Sequence, residues 1–428
     1  MSDLEAKDKA NIWHPFTPLI GAPEPLLITH AEGIYLHTAD GRKIIDAISS
    51  WWVNLHGHSH PKIAKAVAEQ AAKLEHVIFA GFTHEPAIKL SENLFSILPS
   101  TFSKIFFSDN GSTAVEVALK MAMQYWHNKG VDRKKVIAIE GAYHGDTFGS
   151  MSVGGRSIFT NPFSPYLFDV EFIDFPEEGK EESVLYQFKK IVEQGNVGIF
   201  IYEPLIQAAG GMRTYSSELL NNIIEYAQKK EVICIADEVF TGFGRTGKLL
   251  ASDYLTNKPD LIALSKGLTG GTLPLGVTAV SSKITAAFQD TDFTKTFFHG
   301  HSFTANPVAC AAANASFELL MELECQESIA GISDQHKKFA DTVKRNPCIK
   351  EVRCLGTILA IELSTSEQSS YTNKLREKIY TYFLERDVLL RPLGNTFYIV
   401  APYCILQKEL DHIYKVIGGF IAEFNSNY

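Results

Sequence analysis

The chain has 428 residues, a formal net charge of −9 and a hydrophobic content of 45%, which are ordinary values for a globular protein with one large and one smaller domain. The acidic balance gives no electrostatic case for binding nucleic acid or an anionic membrane, and no apolar run approaches the roughly 20 residues of a spanning helix. A polar start without a signal-peptide core and six scattered cysteines without a CxxC pair predict a cytoplasmic protein.

The first 50 residues are rich in predicted strand, with apolar runs at 26–28, 34–36 and 44–45. We expect this segment, 1–50, to join a small α+β domain formed by residues 311–428, while residues 51–310 form the large ligand-binding domain.

Short apolar runs alternate with amphipathic helical segments through the middle of the chain. Such near-continuous apolarity is required of parallel strands that are covered on both faces. The pattern therefore predicts an α/β fold with a mostly parallel sheet between helices. The predicted strands are 104–107, 136–139, 170–173, 198–202, 232–235 and 261–264.

The C-terminal part has a different pattern. Residues 351–363 are predicted as strands broken at Gly356, and 373–385 as a helix. A hairpin is predicted over 388–400, turning at Gly394-Asn395, and a closing amphipathic helix over 408–424.

Two charged residues of opposite sign follow neighbouring predicted strands. Asp237 ends the apolar run that begins at Val232, and Lys266 follows the run from Leu261. Open α/β folds build ligand sites at this edge of the sheet. A lysine can form a Schiff base, and a buried carboxylate needs a cationic partner. Pyridoxal phosphate (PLP) uses both, because its aldehyde bonds the lysine and its pyridinium nitrogen pairs with the aspartate.

A helix is predicted to open after Ser108, and its first residues include Gly111 and Ser112. Free backbone N–H groups at a helix N-terminus bind anions, so these two residues are candidates for the cofactor phosphate. N-capping by Asp109 or Ser112 is the commoner reason for such a sequence.

Tyr143 and Glu203 also follow predicted strands. Tyr143 is a candidate for stacking on the pyridine ring or bounding the substrate pocket, with packing on the sheet as the competing interpretation. Glu203 is a candidate partner of the ring or of Arg245, with a solvated loop position as the competing interpretation.

Two arginines are candidates for gripping a substrate carboxylate. Arg245 lies in a Gly-rich loop, and Arg391 precedes Pro392. A surface position is the default for a lone arginine.

The alternating histidines His56, His58 and His60 allow a second interpretation, a metal-dependent hydrolase that uses this cluster. Pro61 and an amphipathic helix follow directly, so a strand-to-helix turn is the simpler interpretation.

Taken together, these segments resemble the fold-type I, class III (ω-aminotransferase) family of PLP enzymes over nearly the whole chain. The family marks are Ala236–Val239, Gly242–Gly247 and Ser265–Gly267. Finer marks resemble the branch of the family that acts in biotin synthesis, which aminates 8-amino-7-oxononanoate with S-adenosylmethionine as donor. These marks are Trp13–Thr17, Ser50–His58, Leu268–Thr272 and Phe298–Pro307.

The resemblance implies roles for individual residues. Lys266 is implied to be the Schiff-base lysine and Asp237 the pyridinium partner. His301 and Ser302 are implied to reach the phosphate of the neighbouring subunit, which implies an obligate homodimer. The remaining implied positions are Gly111 and Ser112 for phosphate, and Trp51, Phe16, Tyr143, Gly300 and Arg391 for substrate. Trp52 offers a further apolar wall, and Tyr398, close to Arg391 in the predicted hairpin, is expected to line the same entrance.

Two positions depart from the family pattern. Phe16 replaces a common tyrosine, so lysine stays open as the amino donor in place of S-adenosylmethionine, and Ser302 replaces a common threonine but keeps the hydroxyl. An ω-aminotransferase acting on ornithine, 4-aminobutyrate or a diamine is a further interpretation, and a non-catalytic binding protein is the least favoured one. A NAD-linked oxidoreductase is disfavoured because no GxGxxG follows an early strand.

Overall fold

The computed structural model describes residues 3–365 and 373–427. Within these ranges, no helix has the length and apolar character needed to cross a membrane. The strands are β1 (Ile28–Glu32), β2 (Tyr35–Thr38), β3 (Lys43–Asp46), β4 (Phe102–Ser108), β5 (Lys135–Ile139), β6 (Glu171–Ile173), β7 (Val197–Tyr202), β8 (Ile206–Gln207), β9 (Arg213–Thr214), β10 (Ile233–Asp237), β11 (Leu261–Leu264), β12 (Gly276–Ser281), β13 (Ile349–Leu355), β14 (Ile358–Leu363), β15 (Val388–Leu389) and β16 (Thr396–Ile399).

The helices alternate with these strands along the chain. They are α1 (Asp3–Asn11), α2 (Ser49–Trp52), α3 (Pro61–Lys73), α4 (Glu85–Phe95), α5 (Gly111–Asn128), α6 (Phe148–Ser152), α7 (Glu181–Glu193), α8 (Ser217–Lys229), α9 (Ser282–Ala286), α10 (Pro307–Met321), α11 (Leu323–Val343), α12 (Leu375–Leu384) and α13 (Gln407–Asn427).

A seven-stranded sheet with the order β4-β12-β11-β10-β7-β5-β6 forms the centre of the large lobe. Strand β12 is antiparallel to both of its neighbours, and the remaining paired strands run in parallel. The predicted fold class, a mostly parallel sheet between helices, is confirmed. The six strands predicted in this region are present, whereas β12 is an addition to the predicted set.

Burial on both faces explains the composition of the central strands. Every residue of β7, β10, β11 and β12 is buried. Side chains alternate between the two faces of a strand, so a strand covered by helices on both sides is apolar almost throughout.

The smaller lobe combines both ends of the chain. Strand β3 pairs in parallel with β15, which joins the N-terminal strands β1–β3 to the C-terminal part. A separate antiparallel sheet has the order β13-β14-β16. A strand of the N-terminal segment therefore pairs with a strand of the C-terminal part of the chain.

The hairpin predicted over 388–400 is wrong. Its two strands, β15 and β16, belong to different sheets, since β15 pairs with β3 and β16 pairs with β14. Only an isolated bridge, Leu393 to Thr396, remains of the predicted turn. Pro392 has no backbone N–H for a strand ladder, and pairing with distant strands determines the fold of this segment.

Candidate active site

Lys266 follows β11 and begins a short 3-10 turn, Lys266–Thr269, which ends at Gly270 in the left-handed region. The backbone of Lys266 itself has φ +40°. Its Nζ lies 4.4 Å from the centroid of the Trp52 ring and 5.5 Å from that of Phe240. Burial lowers the pKa of this amine to about 8, against the opposing effects of Asp237 and Glu203. A larger share of the amine is therefore neutral, and able to act as a nucleophile, near neutral pH.

Asp237 is the last residue of β10 and is 5% exposed. One of its oxygens accepts a 2.7 Å hydrogen bond from His144 Nδ1, and the other accepts the N–H of Val239 at 3.0 Å. His144 Nε2 has no partner among the described residues. These contacts hold the carboxylate in one orientation at the carboxyl edge of the sheet.

Glu203 follows β7 and is also buried. Its two carboxylate oxygens accept the N–H groups of Tyr143 and Ala208, each at 3.0 Å. Burial raises the pKa of Glu203 to about 7, since removing water disfavours the charged carboxylate. Glu203 thus tethers the loop that carries Tyr143, and it does not contact Arg245 through a hydrogen bond or ion pair in the described structure.

The N-terminus of α5 is capped by Asn110, whose side chain accepts the N–H of Thr113. The sequence-based assignment of the cap to Asp109 or Ser112 is therefore wrong. The Ser112 hydroxyl lies 2.7 Å from that of Thr147 and accepts the Thr147 N–H at 3.1 Å.

Two glycines bring the backbone close to this helix start. A Cβ at Gly145 would lie 2.2 Å from Ser112 Oγ, and a Cβ at Gly111 would lie 2.6 Å from Val239. Gly145 also has φ +128°, which L side chains rarely adopt. Glycine at these two positions therefore lets the loop after β5 and Val239 pack closely against the start of α5.

These groups line one cavity of about 690 Å³. It brings together Lys266, Asp237 and Glu203 with the start of α5, although they come from distant parts of the chain. The residues predicted for the site that line the cavity are Trp52, Gly111, Ser112, Tyr143, Glu203, Asp237 and Lys266.

Three more residues predicted for the site form a cluster around the Trp51 ring, which contacts Phe16 and Arg391. The rings of Phe16 and Trp51 lie 5.6 Å apart, and the Arg391 guanidinium lies 4.5 Å from the centroid of Trp51. The adjacent Trp52 is 5% exposed, and its Nε1 donates to the Tyr398 hydroxyl at 3.2 Å. Tyr398, predicted to line an entrance, is 3% exposed and supports Trp52 from behind the cavity surface.

Arg245 does not fit the prediction that it could grip a substrate carboxylate. It is 1% exposed and donates to the carbonyl oxygens of Ala401 and Asn54, at 2.8 and 3.1 Å. It lies outside the cavity lining, where its guanidinium holds segments from both ends of the chain. The Gly-rich loop carries the arginine inward, which the local sequence alone does not reveal.

Gly300, His301 and Ser302 also lie outside the cavity lining. His301 Nδ1 is 3.6 Å from Asp109, and its Nε2 is 3.0 Å from the ring of His299. Their predicted contact with a cofactor depends on a second copy of the chain and stays a prediction.

His56 and His58 have different hydrogen-bond partners. His56 Nε2 is 3.1 Å from the Ser316 hydroxyl, and His58 Nε2 is 2.9 Å from Asp46. The His60 ring contacts that of His56, with 6.3 Å between centroids. In the described ranges, no three His, Cys, Asp or Glu side chains are arranged to hold a metal ion. The geometry therefore does not favour a metal-dependent hydrolase.

Sequence reasoning gives no role to His144, Thr147 or Phe240. His144 stands beside Tyr143 after β5, and Phe240 stands three residues after Asp237, so proximity to assigned residues is the available signal. Their partners, however, are fixed by the packing of separate strands.

Proteins named as aminotransferases are similar to this chain in sequence and in structure. A family model described as aminotransferase class-III matches residues 20–421. A protein of Synechococcus elongatus named adenosylmethionine-8-amino-7-oxononanoate aminotransferase is 47% identical, over 96% of this chain and 99% of its own length. A protein of the same name from Aquifex aeolicus is 36% identical, over 98% and 97% of the two chains. The crystal structure of a third protein of that name, from Methanocaldococcus jannaschii, superposes with a TM-score of 0.92 at 35% identity, over 97% and 98% of the chains.

Proposed function

Because the chain belongs to the class-III aminotransferases, we propose that it uses pyridoxal 5'-phosphate to transfer an amino group to 8-amino-7-oxononanoate, a step of biotin synthesis that yields 7,8-diaminononanoate. The observation that carries the proposal is the cavity that contains Lys266, Asp237 and the N-terminus of α5. The names of the similar proteins support this keto acid over ornithine, 4-aminobutyrate or a diamine.

The residues present fit PLP. Lys266 has an amine whose pKa is lowered to about 8 by burial, and a neutral amine is the form that bonds an aldehyde. Asp237 is a carboxylate held by His144, suited to a pyridinium N–H. Gly111 and Ser112 at the N-terminus of α5 suit a phosphate.

The bound cofactor would supply a ring that accepts the electrons left on the donor carbon when its proton is removed. The Lys266 amine, once released from the cofactor, would move that proton. Asp237 would keep the ring nitrogen protonated, and His144 would keep Asp237 oriented. Tyr143, tethered by Glu203, would bound the ring and the substrate pocket.

The keto acid is a long aliphatic chain that ends in a carboxylate. Trp51 and Trp52 would form an apolar wall along it. Arg391, against the Trp51 ring, would bind the carboxylate with its fork of N–H donors.

We also propose that the enzyme works as a homodimer, with His301 and Ser302 completing the site of the partner copy. Phe298 and Phe303 flank this segment, and their side chains are 62% and 60% exposed. Exposed aromatic groups of this kind suit burial against another chain.

Six free cysteines support a reducing compartment such as the cytoplasm.

The amino donor is tested by absorbance of the PLP-loaded enzyme. We propose S-adenosylmethionine, which should convert the band of the bound aldehyde form, while lysine, ornithine and 4-aminobutyrate should leave it. Adding 8-amino-7-oxononanoate should restore the band, with 7,8-diaminononanoate identified by mass spectrometry. Conversion by lysine alone would reassign the donor. Steady turnover of ornithine or 4-aminobutyrate with a different keto acid as the amino acceptor, and none with 8-amino-7-oxononanoate, would replace the proposed function.

A further inference from the structure

The β3–α3 loop, which includes the short distorted turn α2, begins after Asp46, whose carboxylate is completely buried. One oxygen accepts the N–H of Ile48 at 3.2 Å. The other accepts the N–H of Ser50 at 2.7 Å and the Ser50 hydroxyl at 3.0 Å. A single side chain therefore determines the path of the backbone that leads directly into Trp51 and Trp52.

His58 closes the same loop from its other end. Its Nε2 lies 2.9 Å from the Asp46 carboxylate, and its Nδ1 lies 3.2 Å from the Asn54 amide nitrogen. An amide nitrogen can only donate, so Nδ1 accepts and Nε2 carries the proton that is donated to Asp46. His58 thus links Asp46 to Asn54, on the far side of the two tryptophans.

The backbone of the β1–β2 turn holds both partners in place. The carbonyl of Ile34 accepts the Asp46 N–H at 2.8 Å. Gly33 and His58 exchange backbone hydrogen bonds of 2.6 and 3.1 Å. The two ends of the loop are therefore fixed to adjacent residues of one turn.

The loop conformation itself is unfavourable. Ser49, Ser50 and Trp52 have φ angles of +51°, +59° and +65°, in the left-handed region that non-glycine residues seldom occupy. Strain of this kind persists only where surrounding contacts impose it. Of these three residues, Ser50 is held directly by the Asp46 carboxylate, and the Ser49 hydroxyl donates to the carbonyl of Val400.

We propose that Asp46 and His58 form a clamp that positions Trp51 and Trp52 as the wall selecting a long aliphatic substrate, an inference that rests on the proposed function. Neither clamp residue lines the cavity, so both act through the tryptophans. The Trp52 ring faces the Lys266 amine, and the Arg391 guanidinium stacks on the Trp51 ring. A displaced loop would therefore disturb both the apolar wall and the arginine proposed to bind the carboxylate.

The test compares His58→Leu, which removes the donor to Asp46, with His58→Gln, whose amide can replace it. In the PLP-loaded enzyme, His58→Leu should raise the KM for the keto acid at least tenfold while kcat changes less than threefold. The tryptophan emission should shift to longer wavelength as Trp52 gains contact with water. In His58→Gln, the KM should lie within threefold of the wild-type value, and the emission maximum should lie within a few nanometres of the wild-type wavelength. His60→Gln, in the same histidine run but without a contact to Asp46, is the matched control and should behave as wild type.

Unchanged KM and emission in His58→Leu would overturn the clamp, as would equal defects in His58→Leu and His58→Gln. If His58→Leu does not fold, Ser50→Ala decides, because it deletes one hydrogen bond to Asp46 at an exposed position. A KM increase of about threefold would support the clamp, and an unchanged KM would refute it. The emission comparison needs no substrate, so a wild-type enzyme that ignores the keto acid would contradict the proposed function alone.

Discussion

His144 donates a 2.7 Å hydrogen bond from Nδ1 to Asp237, and the two residues are 3% and 5% exposed. His144 follows β5 and Asp237 ends β10, two strands that are separated in the sheet by β7. A carboxylate removed from water in this way needs such a hydrogen-bonding partner, which also fixes its orientation. The pair therefore connects the folding of the sheet to the chemistry proposed for the cavity.

Replacing His144 by Leu should lower kcat by about tenfold to a hundredfold, since a hydrogen bond to a charged group contributes roughly 1.5–3 kcal/mol. His144→Asn, whose amide can donate in place of Nδ1, should retain most of the activity. Steady-state kinetics of the PLP-loaded variants measures both. His336→Leu is the control, because His336 is equally buried and bonds Tyr414 in the other lobe. A kcat loss as large in His336→Leu would assign the effect to stability instead.

The lowered pKa of Lys266 predicts how the apoenzyme captures PLP as pH changes. The neutral amine bonds the aldehyde, so the capture rate should rise about tenfold per pH unit below 8 and level off above it. The neutral fraction of an exposed lysine, whose pKa is near 10.4, would continue to rise steeply up to about that pH. Stopped-flow absorbance between pH 6.5 and 9.5 checks this, with N-acetyl-lysine methylamide as the unperturbed reference. A protein rate that keeps rising alongside the reference would contradict the prediction.

Arg391 is predicted to bind the carboxylate of the keto acid. Arg391→Ala should raise the KM for that substrate about tenfold to a hundredfold, because a charge-assisted contact is lost. Arg391→Lys should recover only part of the affinity, since an ammonium lacks the planar fork. Arg386→Ala is the matched control, because the Arg386 guanidinium stacks on Tyr382 as that of Arg391 does on Trp51. An unchanged KM in Arg391→Ala would place the carboxylate site elsewhere.

Arg245 is predicted to stabilise the fold. Arg245→Met should lower the free energy of unfolding by about 3 kcal/mol, because two buried carbonyl oxygens lose their donors. Chemical denaturation measures the change. Arg156→Met is the control, since Arg156 also donates to backbone carbonyls but is exposed. Equal losses in the two variants would show that burial at Arg245 has no special effect.

The positions of Asp237, Lys266 and Glu203 at one edge of the sheet could be predicted from the sequence. Each follows a run of apolar residues, and parallel strands bring their carboxyl ends to the same edge. The start of α5 was predictable for the same local reason, although its capping residue, Asn110, was not.

Only the tertiary structure decided which of two similar arginines is buried, that β15 and β16 separate into different sheets, and that β12 completes the large sheet. It also paired Asp237 with His144, and Asp46 with His58. Strand and helix periodicity depends on neighbouring residues and is therefore readable along the chain. The pairings and the burial depend instead on contacts between segments distant in sequence, where the packing of the whole core selects the partners.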